Sequence, residues 1–256
     1  MVDLVVVGVT KCGSTYIDSI LRHNPSFSLP RGIKETNFFS VEYQRGISWY
    51  LGLFNTSKIL VEVCPNYSRD VNSLKRIKDL FPKARILLLL RDPKKRFVSH
   101  CKHFFRTRNV AASYAQIVEL FPEIILDSDY EKIFDNCLQV FGETGFDVLR
   151  FEDFISDFAV IESYFFTHFN IKLARPDYIE LNEYYDTRFK RIYSFLRYLN
   201  RFFALRGFNF RSLFGDYLIK LMFESSSRSR QLVDDLPEAL DLFLDRQSEF
   251  FDNLER

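Results

Sequence analysis

The stretch that decides the fold is Val5-Val6-Val7-Gly8-Val9-Thr10-Lys11-Cys12-Gly13-Ser14-Thr15-Tyr16-Ile17. A β-branched apolar run predicts a buried strand. A loop bounded by glycines follows it, and Tyr16, Ile17, Ile20 and Leu21 then recur at helical spacing. A strand that leads through such a loop into a helix brings backbone N–H groups and the positive end of a helix dipole to one place. The expected occupant of that place is an anion of the phosphate kind.

The glycines keep the spacing Gly8-x-x-x-x-Gly13 of a P-loop, but the lysine stands elsewhere. A nucleotide-hydrolysing loop reads G-x-x-x-x-G-K-[ST], whereas Ser14 occupies the lysine position here and Lys11 lies inside the loop. The loop is expected to hold a phosphate-like group, though not in the manner of an ATPase.

Outward from this stretch, further short apolar runs read as buried strands at Ile59–Val63, Arg85–Leu90 and Asp147–Phe151. Amphipathic segments separate them at Ser14–Arg22, Val71–Phe81, Pro93–Arg106 and Tyr130–Phe141. This alternation predicts βαβ units and an α/β fold: a P-loop-like parallel β-sheet flanked by helices. Ligands of such sheets bind beyond the carboxyl ends of the strands. Both Gly8–Thr15 and Arg91–Pro93 fall there, so they are expected to face one crevice. From Pro176 onward the pattern is helical with no convincing strand. Arg188, Lys190, Arg191, Arg197, Arg201 and Arg206 lie among aromatics and read as a solvated basic face. The expected organisation is a single domain over residues 1–256, with 1–175 as the α/β core and 176–256 as a helical carboxyl-terminal cap.

Composition narrows the classes. The chain has 256 residues, enough for one sizeable core, and its 29 Phe and 13 Tyr supply apolar bulk for it. Lys plus Arg number 35 against 34 Asp plus Glu, so net charge offers no attraction for nucleic acid, and any anion site must be a local concentration of charge. The Leu4–Val9 run is too short for a signal peptide, and no segment approaches the ~18 apolar residues of a transmembrane helix. Cys12, Cys64, Cys101 and Cys137 are widely spaced with no C-x-x-C pair, which suits reduced thiols in the cytoplasm. His100 and His103 have no patterned partners, so no metal site is expected. Nothing in the residues sets an oligomeric state.

Two more stretches carry chemistry. In Leu90-Arg91-Asp92-Pro93-Lys94-Lys95-Arg96-Phe97-Val98-Ser99 a buried strand ends in an arginine, whose planar fork suits bidentate phosphate binding, and Ser99 can add a hydroxyl from the next helix. In Lys34-Glu35-Thr36-Asn37-Phe38-Phe39 a carboxylate stands beside an aromatic pair, where partial desolvation would suit a general base. Read singly, the first stretch is equally well a surface ion pair, and the second reads better as an exposed loop glutamate.

Together, the stretches resemble the sulfotransferase family that uses 3′-phosphoadenosine 5′-phosphosulfate (PAPS), and in particular its heparan-sulfate-type and bacterial carbohydrate branch. Lys11-Cys12-Gly13-Ser14-Thr15 resembles the family's K-x-G-[ST]-T loop, which cradles the 5′-phosphosulfate. Arg91-Asp92-Pro93-Lys94-Lys95-Arg96-Phe97-Val98-Ser99 matches every fixed position of R-[DN]-P-x-x-R-x-x-S, which binds the 3′-phosphate. Lys34 to Phe39 is similar to the K-E-x-x-F-F element, whose glutamate is the proposed base. Weaker echoes are Glu62-Val63-Cys64-Pro65-Asn66-Tyr67 and Leu149-Arg150-Phe151-Glu152-Asp153-Phe154. The resemblance covers roughly the first 170 residues.

What the resemblance implies is transfer of a sulfuryl group from PAPS to an acceptor hydroxyl or amine, most naturally on a carbohydrate, leaving adenosine 3′,5′-bisphosphate (PAP) and needing no metal. Lys11 and Glu35 would be catalytic, with Lys11, Cys12, Gly13, Ser14, Thr15, Tyr16, Arg91 and Ser99 on the donor. The chain departs from the pattern at Val63, where several relatives have lysine. Cys101 stands in place of a tyrosine and Asn37 in place of a histidine. These departures bear on the acceptor side. Two alternatives stay open at this point. One is a P-loop kinase or nucleotide hydrolase with Asp92 as an offset magnesium ligand; the other is a non-catalytic nucleotide-binding relative.

Overall fold

The computed structural model describes residues 1–108, 113–175, 185–187, 223–225 and 236–254. Its centre is a parallel sheet of five strands: β1 (Leu4–Gly8), β2 (Phe27–Ser28), β3 (Ile59–Val63), β4 (Arg85–Leu90) and β5 (Asp147–Arg150), in the order β2-β3-β1-β4-β5. Every residue of β1 is buried, as a central strand covered on both faces requires. β1 lies between β3 (Leu4 opposite Val61) and β4 (Leu4 opposite Arg85). After β3 the chain crosses over β1 to form β4, so the connections diverge at β1. In such sheets the crevice opens at that point, beyond the strands' carboxyl ends.

The helices are α1 (Ser14–His23), α2 (Ile47–Leu51), α3 (Val71–Leu80), α4 (Pro93–Arg108), α5 (Tyr114–Leu120), α6 (Glu123–Leu126), α7 (Tyr130–Phe141), α8 (Phe151–Ser156), α9 (Phe158–Phe169) and α10 (Glu238–Asn253). Local chemistry starts several of them. Asp70 caps α3 by accepting from Asn72 N at 3.1 Å and Ser73 N at 3.2 Å, and Asp129 caps α7 through Lys132 N at 3.2 Å. Gly8 has no room for a side chain, because a Cβ there would lie 2.5 Å from Leu88 Cδ1 and 2.7 Å from Ser68 Oγ. The register between β1 and β4 shifts at this point, and the chain leaves the sheet for the loop.

The α/β expectation and the four longer strands and their helices hold, with ends displaced by at most two residues. The carboxyl-terminal expectation needs correction. Tyr185–Thr187 (β6) pairs antiparallel with Phe223–Ser225 (β7) in a segment where the sequence shows no convincing strand. Strands of three residues are too short to show an alternating pattern. The other described part of that region is α10, which packs on α4 and α7. Gln247 of α10 accepts from Tyr130 N at 2.8 Å and Glu131 N at 3.2 Å, and Lys94 of α4 pairs with Asp241 at 2.8 Å and Asp245 at 2.7 Å. The basic cluster from Arg188 to Arg206 lies outside the described residues.

Candidate anion-binding and catalytic site

The loop from Gly8 to α1 carries two residues in the left-handed region, Lys11 at φ 74° and Gly13 at φ 88°. Gly13 is suited to it, and the Phe154 and Phe151 rings would lie 2.7 and 2.8 Å from a Cβ there. Lys11 is not suited to it. A lysine held at positive φ is strained backbone of the kind that clusters at ligand sites. No side chain caps α1 at Gly13, and no acidic residue lies in its first turn, so that end of the helix keeps its positive dipole.

The side chains of the loop divide in two directions. Cys12 is fully buried, its Sγ 3.7 Å from the Tyr130 hydroxyl, and burial pushes the thiol up to about 12. Tyr16 is also buried and stacks on Phe154 at 6.0 Å between ring centroids. These two therefore meet the site with backbone and the core with side chains. Ser14 and Thr15 present hydroxyls to Lys34, whose Nζ donates to Thr15 Oγ1 at 3.1 Å, to Ser14 Oγ at 3.4 Å and to Glu35 Oε1 at 3.1 Å. One ammonium group thus joins the first turn of α1 to the carboxylate of Glu35.

The segment bearing Glu35 is fixed from beneath by a buried glutamate. Glu62 of β3 accepts from the hydroxyls of Thr36, Tyr67 (3.0 Å) and Tyr50 (2.6 Å). Thr36 Oγ1 in turn accepts from Phe38 N at 3.0 Å, and Tyr67 OH accepts from Phe39 N at 3.3 Å. Burial pushes the Glu62 carboxyl above its usual range, while the hydroxyl donors pull it back. Phe38 stacks on Tyr50 at 4.4 Å, completing a floor in which Thr36, Phe38 and Phe39 are buried and Glu35 stays partly exposed.

The second stretch meets the loop from the other side. Arg91, at the end of β4, donates through Nη1 to the Lys11 carbonyl at 3.3 Å, lies over the Phe151 ring at 4.5 Å and stands 3.9 Å from Glu152. Tyr130 OH donates to the Arg91 carbonyl at 2.8 Å, tying this strand end to the buried Cys12. Ser99 lies half-buried on α4. Asp92 caps that helix by accepting from Lys95 N at 2.7 Å. Arg96 is wholly buried: its Nη2 donates to the Ile124 carbonyl at 3.0 Å and to the Ser128 hydroxyl, and its Nη1 donates to His100 Nδ1 at 3.1 Å. It pins α4 to the turn between α6 and α7. Because the guanidinium only donates, His100 Nδ1 must accept and the ring is neutral. Burial and the neighbouring Arg96 charge push this histidine down to about 2.

These contacts bring Lys11, Ser14, Thr15, Glu35 and Arg91 together. Lys34, Glu62, Thr36 and Tyr130 also build the site, although their motifs and runs in the sequence assign them no role. The signal for Glu62 was available, since a lone acid in the buried run Ile59–Val63 must find hydrogen-bond partners. Lys34 gave no signal beyond its place next to Glu35.

A parallel sheet flanked by helices, with a glycine loop opening a helix and basic groups near its N-terminus, defines an α/β protein with a candidate anion site there. The family model of the sulfotransferase domain matches residues 2–165, and the chain belongs to that family of transferases. Among curated proteins it is 26% identical over 254 residues to a bifunctional heparan sulfate N-deacetylase/N-sulfotransferase 1 of Caenorhabditis elegans, a match covering 95% of this chain and 28% of that protein. It is 31% identical over 103 residues to the membrane-associated sulfotransferase kil1 of Dictyostelium discoideum, covering 38% of this chain and 22% of that one. The chain thus spans about a quarter of the length of these relatives. Among solved structures it shares its fold with a sulfotransferase from Alicyclobacillus acidocaldarius (TM-score 0.59, 21% identity, 82% of this chain and 96% of that one). It also shares it with the sulfotransferase domain from the curacin biosynthetic pathway (TM-score 0.56, 13% identity, 98% of both). Among the described residues no helix is long and apolar enough to cross a membrane.

Proposed function

We propose that this protein transfers a sulfuryl group from PAPS to a hydroxyl or amine of a carbohydrate. The observation that carries the reading is the proximity of base and cradle: the Glu35 carboxylate and the first-turn hydroxyls of α1 are within reach of one ammonium group. The 5′-phosphosulfate would lie on the loop N–H groups and Lys11, with its 3′-phosphate on Arg91 and Ser99. In the transfer the bond from sulfur to the bridging oxygen breaks, and charge grows on that oxygen. By analogy with phosphoryl transfer the transition state is loose, so positioned positive charge is what lowers the barrier. Lys11 would supply it, while Glu35 takes the proton of the acceptor. Neither role calls on a metal.

The carbohydrate acceptor is favoured by the heparan sulfate enzymes among the relatives and by the Lys34–Phe39 element. A cytoplasmic setting is favoured by Cys12, Cys64, Cys101 and Cys137, all of them free and buried. The kinase reading is disfavoured because Ser14 stands at the P-loop lysine position and Asp92 is engaged as the cap of α4. The experiment is transfer of label from sulfur-labelled PAPS to a panel of oligosaccharides. Glu35→Gln should lose turnover by about a hundredfold or more and keep PAP binding. Turnover at the wild-type rate in Glu35→Gln would remove the base from this account.

A further inference from the structure

We propose that Lys34 is a further catalytic residue, holding the oxygens of the sulfuryl group while it passes from donor to acceptor. This rests on the sulfuryl-transfer reading above. Its Nζ lies 3.1 Å from Thr15 Oγ1 and 3.4 Å from Ser14 Oγ, on the turn where the donor's 5′ end would bind, and 3.1 Å from Glu35 Oε1, where the acceptor's proton would go. The migrating group must cross the interval between those two places, and the ammonium stands in it.

The electrostatics make a surface ion pair a poor explanation. An exposed pair between neighbouring residues contributes little, and nothing in it calls for hydroxyl partners on a helix some twenty residues away along the chain. Lys34 approaches the positive end of α1, whose first turn carries no acid and whose loop already contains Lys11. A cation and the positive end of a helix lie together there at a cost that an anion with several oxygens offsets. Lys34 and Glu35 are both about one-third exposed, so an incoming group can reach them.

The step balances without another reactant. The sulfur–oxygen bond of the phosphosulfate breaks and its electron pair stays on the bridging oxygen of PAP. A new bond forms from the acceptor oxygen or nitrogen to sulfur, and the acceptor's proton moves to Glu35. Lys34 keeps its own protons and donates hydrogen bonds to the sulfuryl oxygens throughout.

PAP lacks the sulfuryl group, and this separates the proposal from its rivals. Binding of PAPS and of PAP is measured by calorimetry with no acceptor present, for the wild type, Lys34→Met and Lys34→Arg, alongside kcat. The expected result is that Lys34→Met binds PAP as the wild type does, binds PAPS about tenfold more weakly and loses about a hundredfold in kcat. Lys34→Arg should recover part of both losses. A fall in kcat with the ratio of PAPS to PAP affinity intact would overturn the proposal and leave Lys34 as a support for Glu35. Parallel weakening of PAP would overturn it by assigning the lysine to the phosphate cradle, and unchanged kcat would overturn it outright. A wild type that binds neither nucleotide would instead refute the sulfuryl-transfer reading beneath it.

Discussion

Lys11 combines two properties that usually conflict: a charge that the proposed transfer calls on and a backbone conformation that its side chain disfavours, at φ 74°. Left-handed backbone costs a non-glycine residue about 1–2 kcal/mol, and glycine avoids this at an entropic cost of about 0.4–1 kcal/mol. Lys11→Gly should therefore be more stable than Lys11→Ala by about 0.5–1 kcal/mol in denaturant unfolding. Both should lose about a hundredfold to a thousandfold in transfer rate. Equal stabilities would show that the strain at this position is negligible. Near-full activity of Lys11→Ala would remove the lysine from the leaving-group site. The residue is where stability and activity part company.

At the scale of elements, the sequence made the sheet legible because its strands are continuous apolar runs and its helices have clear amphipathic spacing. Leu4–Gly8 and Arg85–Leu90 could hardly be anything but buried strands. The two-residue edge strand Phe27–Ser28 and the pair Tyr185–Thr187 with Phe223–Ser225 escaped, since two or three residues carry no period. In the site, what could be read was the place of the Gly8–Thr15 and Arg91–Pro93 stretches at strand ends. The path that links them could not, because it runs through contacts distant in sequence. Lys34 reaches the α1 hydroxyls, Tyr130 reaches both Cys12 and Arg91, and Glu62 reaches Thr36. Arg96 shows the converse. It matches a fixed position of the phosphate-binding motif, yet it is spent on anchoring α4 to Ile124 and Ser128 beneath the site. A motif position can thus be fixed by architecture as readily as by ligand contact.

For the whole molecule, the buried charges around that anchor predict a response to acid. His100 is nearly inaccessible and pushed down to about 2 by burial, with Arg96, Lys11, His103 and Arg69 adding to the effect; Asp127 stands 3.7 Å away. Unfolded, the imidazole takes up a proton near pH 6.5, and folded it does not until about pH 2. The unfolded state therefore binds more protons throughout that window, and the stability His100 confers is full above pH 6.5 and lost as pH falls. The slope from this one group is at most about 1.4 kcal/mol per pH unit. His100→Gln can still accept from Arg96 but does not titrate, so its unfolding free energy should fall less steeply than the wild type's between pH 6.5 and 4.5. Parallel curves for the two proteins would mean that His100 protonates in the folded state as it does in the unfolded.

The proposed function requires the loop of Lys11 and the strand end of Arg91 to form a site for a nucleotide carrying two separated phosphate groups, not for a magnesium nucleoside triphosphate. The most direct measurement is thermal unfolding of the wild-type protein with PAP in the presence of EDTA, beside Mg·ATP at the same concentration. PAP should raise the midpoint in a concentration-dependent way, and Mg·ATP should leave it nearly unmoved. Stabilisation by Mg·ATP with none by PAP would contradict it.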